Sequence, residues 1–309
     1  MRRHIREIVT TRVCEAIHEP LLELLRRPGY ALHPEGACRA GGLALQIHGA
    51  VSREPPGRTA YLAAAAVECL MDASYALDDV ADNTADGTCG TQIALATALV
   101  TAGVAAAVEA AAHSPAPSVA LEHFCRAYSE SSAGQYLDAM LQQRGGATLE
   151  EALETTCLKS GGLGRFVTGF AARVAGADGD GIALFERLGD DIFTLAQILD
   201  DLRDACDPDE ASDLAQGKAT LPVVFYGREN ERRVPADGML SAEVRNRYES
   251  SGAPLYAGIL AHAYMSRAEE DLVLLSRRGY DVEGLLRFLQ DVDSGAGDIL
   301  GAARRSLVA

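Results

Sequence analysis

The sequence predicts an all-α protein, and three observations carry that prediction. Apolar residues recur at helical spacing over several long segments. No run of alternating β-branched residues is long enough to build a sheet. The breaks fall in compact Gly/Pro clusters and not in long linkers.

The elements follow in order. Arg58 to Leu77 is rich in Ala and Leu with no internal breaker, and reads as a helix. Thr91 to Val108 is uncharged and long enough to pass for a weak membrane span. Its alanine-heavy composition favours a helix in a protein core, so no integral membrane segment is expected. Thr148-Leu149-Glu150-Glu151 is a capping-box pattern that opens a helix to Leu158. Ile182 to Leu202 is long and amphipathic, and Tyr256 to Leu275 is a further helix. Breakers fall at Glu54-Pro55-Pro56-Gly57, His113 to Ser118, Gly176 to Gly181 and Val234 to Gly238. No linker separates two compositions and no solenoid period is present, so one domain over 1–309 is expected.

At 48% hydrophobic and 23% charged, the 309-residue chain can bury a sizeable core. A formal charge of −16 argues against a nucleic-acid partner, which needs basic surface. The seven cysteines are scattered, odd in number and without C-x-x-C. That pattern excludes a disulfide frame and a zinc site, and predicts that most are buried small apolar residues. The start, Met1 to Glu7, is basic but lacks the apolar stretch of a signal peptide, so a cytoplasmic location is expected.

The chemistry sits in two aspartate clusters about 120 residues apart: Asp78-Asp79-Val80-Ala81-Asp82 and Asp200-Asp201-Leu202-Arg203-Asp204. Each reads D-D-x-x-D and follows an apolar run. In a helix Asp78 lies over Asp82 and Asp200 over Asp204. Stacked like charges repel, and a cation between them removes the conflict. Hard divalent ions such as Mg²⁺ take one or two carboxylates plus waters and substrate phosphates. A charged helix end would explain one copy; two copies predict a site for a metal-bound phosphate ester. After the second cluster comes Asp213-Leu214-Ala215-Gln216-Gly217-Lys218-Ala219-Thr220-Leu221-Pro222. Here glycine opens a turn, Lys218 offers an ammonium to phosphate, and Pro222 sits near the start of the next helix.

These motifs resemble those of the trans-isoprenyl diphosphate synthases, the polyprenyl synthetase family, over roughly residues 30 to 290. Asp78, Asp79 and Asp82 match the family's first aspartate-rich motif, and Asp200, Asp201 and Asp204 match the second. Asp213, Gly217, Lys218, Thr220, Leu221 and Pro222 match its D-x-x-x-G-K-x-T-L-P. Gly134-Gln135-Tyr136-Leu137-Asp138 resembles its G-Q-x-x-D, Thr148 to Gly161 its helix ending in Lys-Thr-Gly, and Gln197-Ile198-Leu199 its F-Q-I lead-in. The resemblance implies an all-α isoprenoid-synthase bundle around a deep central cavity, usually a homodimer. It implies an allylic isoprenyl diphosphate substrate bridged to both clusters by three Mg²⁺ ions, with Lys159 and Lys218 assisting. Gln135, Ser160 and Gln197 fall among the residues that line such a site.

The chain also departs from the family. Elongating members bind isopentenyl diphosphate with cations from a G-G-K-x-x-R-P motif, a histidine before the first cluster, and an R-R-G after it. Here these stretches read Pro34 to Ala40, then Met71, then Asn83 to Gly90 with no arginine. Arg39 survives by ungapped spacing, unless the loops are shifted and Arg53, Arg58 or Arg165 substitutes. Charged hydrogen bonds are worth roughly 1.5–3 kcal/mol each, so losing several would disable this second site. The floor positions before the first cluster, aromatic in many relatives, are Ala73 and Ser74, which predicts an open floor for a C15 or C20 chain. Tyr75, Phe166, Phe170 and Phe193 either line the cavity and stabilise a cation or belong to the plain core. The expected function is therefore Mg²⁺-dependent ionisation of geranylgeranyl or farnesyl diphosphate followed by cyclisation to a terpene. The alternatives are chain elongation with isopentenyl diphosphate, prenyl transfer to a non-isoprenoid acceptor, and a non-catalytic partner subunit.

Overall fold

A computed structural model of the chain describes residues 1–34, 38–81, 88–205, 212–230 and 242–295. Its regular structure is helical, with no strand among the described residues. The helices are α1 (Arg2–Arg12), α2 (His18–Leu25), α3 (Arg39–Ser52), α4 (Arg58–Ala81), α5 (Cys89–Ala111), α6 (Pro117–Arg144) and α7 (Leu149–Thr156). After a π-helical turn at Cys157–Gly161 come α8 (Gly162–Ala175), α9 (Gly179–Asp204), α10 (Asp213–Gln216), α11 (Leu221–Asn230), α12 (Ala242–Ser250), α13 (Ala253–Arg277) and α14 (Glu283–Gly295). The all-α expectation holds.

Most boundaries have a local cause. Arg53 ends α3 in the left-handed region at φ 55°, and Pro55 and Pro56 delay α4 to Arg58. Helix α6 begins inside the expected 113–118 break because Pro117 takes the first helical position, where its missing N–H costs nothing. Gly176 stops the preceding helix at φ +84°, yet α9 restarts at Gly179, earlier than the expected Ile182. The Asp178 carboxylate accepts the Gly181 N–H at 2.7 Å and so replaces the missing helical partner. The capping box at Thr148 and Glu151 forms as read. The break expected at Val234 to Gly238 lies outside the described residues.

The described chain divides into two compact units by contact. Unit 1 comprises Met1–Arg126, Arg165–Glu186 and Leu274–Leu285; unit 2 comprises Ala127–Gly164, Arg187–Val273 and Leu286–Ala309. Every crossing point lies inside a helix: α6, α8, α9, α13 or α14. No linker or change of composition marks the division.

Unit 1 is built on α4, whose alanines let α3 and α5 approach closely. Gly103 of α5 has no room for a Cβ, which would meet Leu70 Cδ1 at 2.2 Å. Phe124 packs edge-on against Phe166 and Phe170, both with ring centroids 4.7 Å away. These two phenylalanines have no accessible surface, so they are core rings and not cavity walls. Helices α4 and α5 are both long and apolar enough to cross a membrane; 78% of the α4 window is buried against 39% for α5. The expected core burial of Thr91 to Val108 thus holds for one face only, with Ile93 and Val108 outward.

Helix α4 also buries two carboxyls one turn apart, Glu68 (5% exposed) and Asp72 (1%). The Gly41 N–H donates to Glu68 and the Ala31 N–H to Asp72 at 3.3 Å, while Asp72 Oδ2 has no hydrogen-bond partner. Burial pushes Glu68 up to about 7, against the modest opposing effect of the Gly41 N–H. Burial, then the Glu68 charge, holds Asp72 well above the ordinary carboxylate range.

Unit 2 is organised around α9, the C-terminal part of α6 and the π-helical turn. A Cβ on Gly134 would meet the backbone N of Lys159 at 2.2 Å, so that glycine is what lets α6 lie against the turn. Arg187 pairs with buried Asp271, and Arg267 with buried Asp191 at 2.8 Å, tying α13 to α9. Leu214, Val223, Tyr226, Tyr248 and Ala253 form a small core with Phe225 and Val244.

The expectation that most cysteines are buried fails. Of the six free cysteines described, Cys69 alone is buried, while Cys14, Cys89 and Cys125 are exposed and Cys38 and Cys157 half-buried. A thiol is small enough to be tolerated on a helix surface, so residue type alone does not fix its face.

Two predictions follow from this packing. Gly134→Ala is expected to lower unfolding free energy by about 1–3 kcal/mol, the usual cost of overpacking, read as a lower urea midpoint at unchanged slope. Glu68 binds its proton more tightly when folded, so its contribution to stability is full below pH 4.5 and is lost as pH rises through about 7. That displacement corresponds to about 3 kcal/mol. Glu68→Gln should therefore gain about 1–3 kcal/mol over the native chain at pH 8 and nothing at pH 4.5. Parallel pH–stability curves for the two proteins would refute the assignment.

Candidate active site

In unit 2, α9 delivers its aspartates in the last two turns. Asp200 and Asp204 sit four residues apart within the helix, as the spacing predicts. Asp201 lies on the inner side at 4% exposure. Its Oδ1 accepts from Gln197 Nε2 at 2.8 Å, and Gln197 Oε1 in turn accepts from Ser160 Oγ at 2.9 Å. Ser160 belongs to the π-helical turn, an irregularity that often marks functional sites. The same turn carries Lys159, whose Nζ meets Asp138 of α6 at 3.2 Å, while Ser131 Oγ donates to the Lys159 carbonyl at 2.7 Å. Lys218 follows Gly217, which takes the left-handed conformation (φ +66°) that ends α10. The Lys218 Nζ stands 3.3 Å from buried Asp213. It also lines a cavity of about 990 Å³ together with Arg144 and Thr148.

The electrostatics of this group are those of crowded carboxylates. Burial chiefly, with Asp213, Asp200 and Asp138 adding to it, raises Asp201 to about 8 against the opposing Gln197 hydrogen bond. Asp204 is raised by burial, then by Asp213 and Asp200, and is opposed by Arg203 and Lys218. Arg203 pairs with Asp200 at the exposed end. Side chains that raise one another's affinity for protons bind a cation in place of the proton, and all-oxygen donors suit a hard ion such as Mg²⁺. Among the described residues no three His, Cys, Asp or Glu side chains gather closely enough to hold a metal by themselves. Donors of this kind take an ion whose remaining positions are filled by water and phosphate.

In unit 1, Asp78 and Asp79 close α4, while Asp82 lies outside the described residues. Both line a cavity of about 630 Å³ with Tyr30, His33, Arg39, Glu68, Met71 and Tyr75. Asp79 Oδ2 accepts from the Tyr30 hydroxyl at 2.7 Å and from Gln92 Nε2 at 3.3 Å. Arg39, at the start of α3, reaches the cavity as expected. Arg53 and Arg58 do not substitute for lost cations there: Arg53 donates to the Gly279 carbonyl, and Arg58 pairs with Glu7 and Glu109. Tyr75 (44% exposed), expected either to line the cavity or to belong to the core, lines this cavity, while the two expected floor positions do not. Ala73 has no accessible surface, and the half-buried Ser74 donates to the Leu70 carbonyl at 3.1 Å. Gln135 is half-buried with Oε1 unpartnered, and Phe193 is half-buried.

The sequence reading missed Tyr30, His33, Glu68 and Gln92. Only Glu68 carried a signal, a lone acid in the apolar run from Tyr61 to Met71.

Comparison with known proteins places the chain in a family. The polyprenyl synthetase family profile matches residues 23–248. A short chain isoprenyl diphosphate synthase of Methanothermobacter thermautotrophicus is 32% identical over 157 residues, 46% of this chain and 48% of that protein. The match thus spans about half the length of that relative. Among solved structures, a polyprenyl synthetase from Streptomyces coelicolor superposes with a TM-score of 0.78 at 21% identity, covering 94% of this chain and 95% of its own. A polyprenyl synthase from Caulobacter crescentus, complexed with calcium and isoprenyl diphosphate, gives 0.75 at 22% identity, covering 97% and 94%. A geranylgeranyl pyrophosphate synthetase from Pyrococcus horikoshii gives 0.72 at 21%, covering 97% and 95%. With a family match over nearly three quarters of its length, the chain belongs to the polyprenyl synthetase family of prenyl-transferring enzymes.

Proposed function

We propose that this protein is a chain-elongating trans-isoprenyl diphosphate synthase, joining an allylic diphosphate to isopentenyl diphosphate. The ionising step of this reading rests on the unit 2 group in which Asp200, Asp204 and Asp213 act electrostatically on Asp201 and Lys218 pairs with Asp213, with Lys159 on the adjoining turn; elongation as the outcome rests on the family match and the names of the relatives. The C–O bond of an allylic diphosphate breaks when charge on the leaving group is neutralised. Lys159 and Lys218 offer ammonium donors for that charge. Asp78, Asp79, Asp200, Asp201 and Asp204 would hold divalent cations, as the oxygen donor set fits; the calcium in the Caulobacter relative supports this reading. When bound, such cations neutralise the departing diphosphate. Gln197 keeps Asp201 oriented, and Ser160 keeps Gln197 oriented. The second diphosphate would enter the unit 1 cavity beside Arg39 and His33. The names of the relatives also favour elongation over the cyclisation that the missing basic residues led us to expect.

Cyclisation without a second diphosphate is retained as the second reading on one observation. Arg39 is the one Lys or Arg among the described residues lining the unit 1 cavity, which also holds Glu68, Asp78 and Asp79.

The two readings part in one assay. Purified protein with Mg²⁺ and C10, C15 or C20 allylic diphosphates is expected to yield longer diphosphates only when isopentenyl diphosphate is supplied. Asp78→Asn and Asp200→Asn should each reduce this turnover by about 10²–10³-fold or more, the scale of losing a transition-state electrostatic partner. Hydrocarbons or alcohols formed without isopentenyl diphosphate would replace elongation with cyclisation.

A further inference from the structure

Resting on the reading of Asp79 as a metal ligand, we infer that Tyr30 and Gln92 are positioning residues that fix the Asp79 carboxylate and thereby set the affinity of the first aspartate motif for its divalent cation. Three separate segments converge on one carboxylate oxygen. Asp79 ends α4; Tyr30 comes from the segment after α2; Gln92 lies in the first turn of α5. Tyr30 OH donates to Asp79 Oδ2 at 2.7 Å, and Gln92 Nε2 donates to the same oxygen at 3.3 Å.

Both donors are themselves held. Tyr30 is 5% exposed, and its N–H donates to the Arg27 carbonyl at 3.2 Å. Gln92 is 2% exposed; its Nε2 also donates to the Ala76 carbonyl at 3.3 Å, and its Oε1 accepts from Arg27 at 3.5 Å. That set fixes the amide orientation, because a flipped amide would turn its oxygen toward two acceptors and its NH₂ toward a guanidinium. A hydrogen bond to a charged acceptor is short and directional, and outer groups of this kind change metal affinity by about 10–100-fold. The pair also fixes the carboxylate before any ion arrives, so binding does not have to order it.

Tyr30→Phe removes one oxygen and keeps the ring. It is expected to raise half-saturating Mg²⁺ for turnover about 10-fold, with kcat at saturating Mg²⁺ within about 2-fold of native. Independently of turnover, Mn²⁺ titrated with inorganic diphosphate and followed by electron paramagnetic resonance should bind more weakly by the same factor. Gln92→Leu should shift both readouts in the same direction, which covers failure of the tyrosine variant to fold. A purely structural tyrosine would lower thermal stability without moving the Mn²⁺ titration, and that result overturns the inference. Asp79→Asn tells the two failures apart. If it weakens Mn²⁺ binding while Tyr30→Phe and Gln92→Leu do not, the positioning role alone falls. If Asp79→Asn leaves binding unchanged, the positioning role falls together with the reading of Asp79 as a ligand.

Discussion

Carboxylates held where water is scarce impose the constraint from which much of this fold follows. Asp201 and Asp213 in unit 2, and Glu68 and Asp72 in unit 1, are almost without accessible surface. A buried carboxylate is stable only with a proton, a cation or several donors around it. In unit 2 the donors and cations come from separate segments: Gln197 from α9 itself, Lys159 and Ser160 from the π-helical turn, and Lys218 from the turn after α10. The local irregularities serve that gathering. Gly134 lets α6 lie against the turn, and Gly217 takes the left-handed conformation that starts the lysine turn. In unit 1 the N–H groups of Gly41 and Ala31 serve Glu68 and Asp72, while Tyr30 and Gln92 hold Asp79. These groups are neutral, which leaves Glu68 and Asp72 to keep their protons.

What the sequence made legible was what neighbours in the chain decide. The D-D-x-x-D spacing sets Asp200 and Asp204 on one helix, and the capping box at Thr148 needs only residues three apart. The Gly217-Lys218 turn is similarly local. Tyr30 escaped because its partner Asp79 is 49 residues away, and a tyrosine beside a helix end has no distinguishing pattern. Gln92 lies 13 residues from Asp79 across a loop whose course the sequence does not specify. Phe166 and Phe170 invited a cavity role by their aromatic character, but they are spent on Phe124. The division into two units was invisible because every crossing runs through the interior of a helix, where composition is continuous. The comparisons with known proteins favour the elongating alternative over the expected cyclisation, a difference in reaction that the aspartate motifs, shared by both readings, do not encode.

The basic residues missing near the first motif weigh less against a second diphosphate once burial is taken into account. Reading along the chain, each lost basic residue near the first motif counted as a full missing counter-charge, and each acid as a full negative one. Burial changes the second half of that count. With its carboxyl displaced to about 7, Glu68 carries little charge in mildly acidic solution, although it lines the cavity. The cavity's fixed negative charge there reduces to Asp78 and Asp79, the residues assigned to metal. With cations bound there, Arg39 would remain as a full positive charge, and His33 would offer its ring nitrogens. On the elongating reading, a second diphosphate would then face a surface with less net negative charge than the sequence alone suggests, despite the missing lysine and histidine. Electrostatic selection in this cavity depends less on the number of basic residues than on which carboxyls are ionised and which are covered by a cation.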